Sequence, residues 1–160
     1  MPLLHEEHFR RVENLLFEWA RAIDENRVEA IAGMLAADGR YAVQSRFNAD
    51  RGLPHALIDA RSAAQLRDRI KSMRLANIYE PHLYRHLVSG VQVTGGEGGL
   101  LQVRSNFAVV RTMELDGDMR VFAVGQCDDV IDVRGAEPLF RSRHFRLDSR
   151  VVETLLVIPL

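Results

Sequence analysis

Residues 5–24 repeat apolar side chains in steps of three and four, and residues from Tyr84 onward alternate in steps of two. The first pattern predicts an amphipathic helix with Phe9, Val12, Leu16, Trp19 and Ile23 on one stripe. Glu6, Arg10, Glu13, Asn14, Arg21 and Glu25 lie on the opposite face, and Phe17 lies off the stripe, to widen the core face or to meet a partner. Asn26 and Glu29 have capping-box spacing, which predicts a second short helix carrying Val28, Ile31 and Leu35 and stopping near Asp38-Gly39. Arg40–Ser45 reads as a strand, 46–55 as a polar loop, and Ala56–Asp59 as a short extended piece. Ser62 and Gln65 then cap a third helix with the stripe Leu66, Ile70 and Met73. Arg67, Arg69, Lys71 and Arg74 line much of its remainder and read as a solvated face.

The alternating part predicts strands over Tyr84–Thr94, Leu100–Met113, Val121–Val133, Leu139–Asp148 and Val151–Leu160. Asp116-Gly117 is the strongest hairpin signal among their links. The glycine-rich run 95–99 sits between two strands with no GK[ST] after it, so it reads as a flexible hairpin and not as a phosphate cradle. Helices succeeded by a run of antiparallel strands give an α+β class. A long curved sheet must bury one face, and three N-terminal helices are the available cover. The expected architecture is a cone-shaped half-barrel with the helices packed into its open side, as one domain over residues 1–160. Folds of this shape often keep a pocket between sheet and helices.

Composition narrows the function classes. Lys plus Arg (21) nearly balances Asp plus Glu (22), so nothing pulls the chain as a whole toward nucleic acid. No apolar run reaches the ~20 residues a bilayer requires, and the first residues, MPLLHEEHFRR, hold no signal-like apolar core. A single cysteine, Cys127, excludes an internal disulfide and any site built on two thiolates, and the expected compartment is the cytoplasm.

His82 and His86 form an H-x3-H pair within NIYEPHLYRHLVSGVQV. On a helix that spacing serves a metal. On a strand the residues stand roughly 13 Å apart, too far to share an ion at ~2 Å from each nitrogen. Pro81 and the β-rich tail favour a strand, so no metal site is expected here. His5 and His8 are one helical turn apart, but no further ligand lies near them, and a solvated helix start explains them better. A Rieske centre takes two Cys and two His, which one cysteine cannot supply. No G-x-S-x-G or strand-borne GxGxxG occurs. The remaining chemistry is general acid–base work in a pocket, for which Tyr41, Asp59, His86, Asn106, Asp129 and His144 are the candidate inward polar residues.

The stretches VENLLFEWARAID, AADGRYAV, ANIYEPHLYRHLVSGVQV and ETLLVIPL together resemble the small (β) subunit of bacterial aromatic-ring-hydroxylating dioxygenases. The resemblance runs from about Phe9 to Leu160, and Ala76–Val88 and Val151–Leu160 are most like the branch acting on terephthalate, anthranilate or salicylate. It implies the α+β cone shared with nuclear transport factor 2, ketosteroid isomerase and scytalone dehydratase. It further implies a structural subunit with no catalytic, cofactor or metal residues of its own, acting within a multi-subunit oxidoreductase. The Rieske iron–sulfur cluster and the mononuclear iron would sit on a partner α subunit in an α3β3 hexamer. A reductase or ferredoxin would act through α, and a homo-trimer of this chain alone is a further expectation. The family often carries Asn where this chain has Gly90, which therefore marks a bulge or a close backbone approach. Tyr79, Tyr84, Arg85 and His86 are the expected subunit-contact residues, with Val151–Leu160 second. The competing readings are a free-standing cone-fold isomerase or dehydratase, using Tyr41, Asp59, His86, Asn106 and His144, and a small-ligand binder.

Overall fold

The computed structural model describes residues 6–76, 79–152, 156 and 158–160. Helix α1 spans Glu6–Asp24 and buries Val12, Leu16, Trp19 and Ile23 of the expected stripe together with Leu15, while Phe9 is half-buried. Phe17 is left 39% exposed. The next segment differs from expectation. Asn26 takes φ 60°, and Asn26 and Arg27 donate back to the carbonyls of Ile23 and Ala22. This is a Schellman motif, so Asn26 ends α1 and does not cap a second helix. Its side-chain oxygen instead accepts from Arg74 at 2.6 Å. The chain then winds into a 3₁₀ helix over Val28–Met34, which has no side-chain cap.

Strand β1 covers Leu35–Ser45 and so begins five residues before the expected Arg40. Gly39 is not a helix stop. A Cβ there would lie 2.9 Å from the Ala36 carbonyl oxygen and 3.0 Å from that of Phe140, at the register shift where β1 bends against its neighbour. The expected loop contains a short helix, α2 (Arg46–Asp50), because the Ser45 hydroxyl accepts from the Asn48 N–H. β2 is Ile58–Ala60, and α3 is Ala63–Leu75 with Ser62 as its cap and Leu66, Ile70 and Met73 buried. On its outer side Arg69 donates to the Leu156 carbonyl and Arg74 pairs with Glu29.

Four long strands complete the sheet: β3 (His82–Glu97), β4 (Leu100–Met113), β5 (Met119–Asp132) and β6 (Leu139–Leu147). The sheet order is β2-β1-β6-β5-β4-β3, antiparallel except for the parallel β1–β6 pair. Gly90 has φ 59° at the register shift between Ser89 and Gln92, so it marks a bulge in β3. The alternation also predicts a strand over Val151–Leu160. Of that stretch, the described residues are not in a strand, and 153–155 and 157 lie outside the described residues.

The helices cover one face of this sheet. Between them Trp19, Tyr41, Phe140 and Phe145 form an aromatic core with ring centroids 5.3–6.0 Å apart. Leu160 is fully buried and closes that core. Its carbonyl accepts from Trp19 Nε1 at 2.8 Å, and its N–H donates to the Tyr41 hydroxyl at 2.9 Å.

Candidate functional site

Two polar groupings lie on the covered face. In the first, the C-terminal end of α1 meets β3. Asp24 Oδ1 lies 2.6 Å from His86 Nδ1, and Asp24 Oδ2 accepts from the His86 backbone N–H at 2.9 Å. With a carboxylate accepting, Nδ1 is the donor. The imidazole is 2% exposed, and its Nε2 has no hydrogen-bond partner among the described residues. Beside this pair opens a cleft of about 530 Å³ between α1, α3 and the start of β3, lined among others by Asp24, Arg74, Tyr79, His82, Tyr84 and Glu114. Asp24 and Tyr84 reach the cleft, but His86 is not part of its lining.

His82 and His86 share the covered face of β3, with the Tyr84 ring between them at 5.2 and 6.2 Å. The strand therefore sets them apart as its geometry requires. Tyr79, His82 and Tyr84 form a ladder of rings, and Tyr84 stacks on Phe122 at 5.4 Å.

The second grouping lies deeper, where β5 meets β6. Asp129 and Arg143 are opposite each other in the register and pair at 3.3 Å, both fully buried. Arg143 also lies over the rings of Trp19, Phe140 and Phe145. Burial pushes the Asp129 carboxyl up to about 6, against the pull of Arg143. Cys127 Sγ sits 3.4 Å from Asp129, and burial raises its thiol well above the ordinary value, so it is an inert core residue. Burial likewise raises the Tyr41 hydroxyl.

The five residues named for an isomerase or dehydratase do not converge. Tyr41 is in the core and His86 is held by Asp24. Asp59, Asn106 and His144 are on the opposite, outer face: Asp59 pairs with Arg40 and Arg61, Asn106 is exposed, and His144 meets Gln44 at 3.0 Å. Of the four expected contact residues, Tyr84 and the His86 ring are buried, while Arg85 is exposed and Tyr79 is half-buried. Asp24 and Arg143 are not among the sequence-predicted residues. Arg143 shares strand parity with Phe145 and Leu147, which is a readable signal of an inward arginine. Nothing local announces Asp24.

Among the described residues, no group of three or more His, Cys, Asp or Glu side chains is placed to hold a metal ion. The donors present also do not suit a Rieske centre, since the one cysteine is packed against Asp129 in the core.

The sequence from residue 18 to 154 matches the family described as ring hydroxylating beta subunit. The chain belongs to that family. It is 34% identical over 139 residues to the anthranilate 1,2-dioxygenase small subunit of Burkholderia cepacia, covering 86% of this chain and 85% of that one. It is 32% identical over 142 residues to terephthalate 1,2-dioxygenase, terminal oxygenase component subunit beta 2, of Comamonas sp, covering 89% and 92%. A solved structure assigned as the beta subunit of an aromatic-ring-hydroxylating dioxygenase from Novosphingobium aromaticivorans superposes with a TM-score of 0.86 at 29% identity, covering 94% of this chain and 95% of that one. The fold is thus the nuclear transport factor 2-like cone of ring-hydroxylating beta subunits.

Proposed function

We propose that this chain is the non-catalytic, structural β subunit of the oxygenase component of a dioxygenase that hydroxylates an aromatic carboxylate. The observation that carries this reading is the likeness to anthranilate and terephthalate dioxygenase small subunits along more than four-fifths of the chain. The interior supports it as well. Trp19, Tyr41, Phe140, Phe145 and Leu160 fill the space in which a free-standing cone-fold enzyme would keep its substrate. The five residues named for an isomerase or dehydratase are divided between the two faces of the sheet, which disfavours that reading.

In this proposal the Rieske cluster and the mononuclear iron belong to the α subunit, and a reductase or ferredoxin delivers electrons there. The assembly is α3β3 in the cytoplasm, and this chain's part is to hold the α subunits in place. Tyr79 and Arg85 are the expected contact residues that reach the surface, Tyr79 at the cleft and Arg85 on the outer sheet face. Tyr84 and His86 support that surface from beneath.

Co-expression with the α subunit tests the proposal. The expected product is a red-brown, iron-containing complex in which the two chains copurify in equal amounts. An α subunit that acquires its iron and is recovered without this chain sinks it.

A further inference from the structure

The cleft between α1, α3 and the start of β3 holds about 530 Å³, a volume typical of small-molecule sites. Its two sides differ. One is apolar, with Ile23, Val28 and Met73. The other is the ring ladder of Tyr79, His82 and Tyr84, with successive centroids 5.5 and 5.2 Å apart. The polar groups between them are chiefly acceptors.

The Asp24 side chain is 6% exposed and reaches the cleft. It accepts twice from His86, and a carboxylate has about four lone-pair sites, so about two remain for a ligand. His82 Nδ1 lies 2.7 Å from the Glu80 carbonyl oxygen and donates to it, which leaves Nε2 as an acceptor. Tyr84 is 5% exposed and lines the cleft, yet its hydroxyl has no hydrogen-bond partner among the described residues. Burial raises that hydroxyl, so it keeps its proton and can both donate and accept. A buried hydroxyl left unpaired is costly until a ligand meets it. Glu114 adds a second carboxylate at the exposed rim. Arg74 does little to offset these charges, because Glu29 and Asn26 take its guanidinium in four hydrogen bonds of 2.6–3.2 Å.

We propose that this cleft binds a small protonated amine with an aromatic body. An ammonium group brings three donors and no acceptor, which suits the Asp24 carboxylate, His82 Nε2 and the Tyr84 hydroxyl oxygen. The aromatic body lies between the ring ladder and Met73, and the ring faces add attraction for the cation. The same two carboxylates repel an aromatic acid. The site therefore prefers the opposite charge from the aromatic carboxylate assigned to the oxygenase, and it goes beyond that reading.

Isothermal titration of the full chain with benzylamine, benzyl alcohol and benzoate tests the proposal, since the three probes share a ring and differ in charge. Benzylamine should saturate one site per chain with a dissociation constant of about 1 mM or lower. Benzyl alcohol should bind about tenfold more weakly, and benzoate should not saturate. Tyr84→Phe removes the hydroxyl and keeps the ring, and Glu114→Gln removes an exposed charge. They should weaken benzylamine binding about tenfold and about threefold, without lowering the thermal melt. Asp24→Asn should weaken it by about tenfold or more, and if that variant does not fold, the other two decide. Benzylamine that does not saturate, benzoate that binds as tightly, or benzylamine binding that Tyr84→Phe and Glu114→Gln both leave intact overturns the proposal. Copurification with the α subunit decides the oxygenase reading separately.

Discussion

Asp129 and Arg143 face each other across β5 and β6, both buried from solvent, so each depends on the other. The folded carboxyl titrates near 6, above the ~3.9 of an unfolded Asp. Between those values the native state binds more protons than the unfolded chain, so this group's contribution to stability falls as pH rises from ~4 to about 6. Removing the cation by Arg143→Met raises the folded carboxyl further and extends the loss to higher pH. The variant should therefore be destabilised by ~3–5 kcal/mol at neutral pH and by distinctly less at pH ~5, where Asp129 is already neutral. Urea unfolding at both pH values measures this, and an equal loss at both would refute the coupling. Asp24 poses the complementary case. Asp24→Ala strands the His86 N–H and Nδ1 in a buried place and should cost ~2–3 kcal/mol in the same measurement. A cost near zero would mean that the pair does not hold α1 to β3. The two pairs are unequally legible in the sequence. Arg143 follows the β6 alternation, whereas Asp24 is 62 residues from His86 and only the tertiary fold joins them.

At the scale of elements, long periodic segments are readable and their ends are not. α1, α3 and the strands β3 to β6 follow from period alone, because each must bury one continuous face. Asn26-x-x-Glu29 has the spacing of a capping box, yet Asn26 takes the left-handed conformation that closes α1. Asparagine serves both ends of a helix, so spacing by itself does not separate them. Gly39 likewise reads as a helix stop but serves a bulge between β1 and β6, whose parallel partnership a local pattern does not reveal. Gly90 does sit at a bulge, with the positive φ that such a position favours. These two glycines give a ranked expectation. Gly90→Ala meets chiefly the Asn106 side-chain amide, which can turn aside, so its cost is the backbone term of ~1–2 kcal/mol. Gly39→Ala drives a methyl onto two backbone carbonyls, which cannot move without parting the strands, and should cost more, on the order of 3 kcal/mol. Thermal melts of the two variants order them, and the reverse order would contradict the bulge geometry.

At the scale of the whole molecule, the sheet has one face closed by its own chain and another left partly bare. The closed face is legible in the sequence as a cone covered by helices. The residues that finish it are not, because Leu160 reads as the end of one more apolar strand and instead enters the core. Trp19 and Tyr41 both hydrogen-bond its backbone, so α1, β1 and the last described residue meet at one point. This arrangement makes the interior a supporting core that α and β contacts can press against, and leaves the cleft and the outer face as the places where another chain can be met. Leu160→Ala keeps the backbone bonds but removes the buried side chain that closes the aromatic core. It should lower stability by ~2–4 kcal/mol, read as an earlier urea midpoint with an unchanged slope. In the proposed assembly, recovery of the complex with the α subunit should persist at temperatures below the variant's melt, since the Leu160 side chain is buried in this chain's own core. Loss of that complex from a folded Leu160→Ala chain would instead place the C-terminal residues in the subunit contact itself.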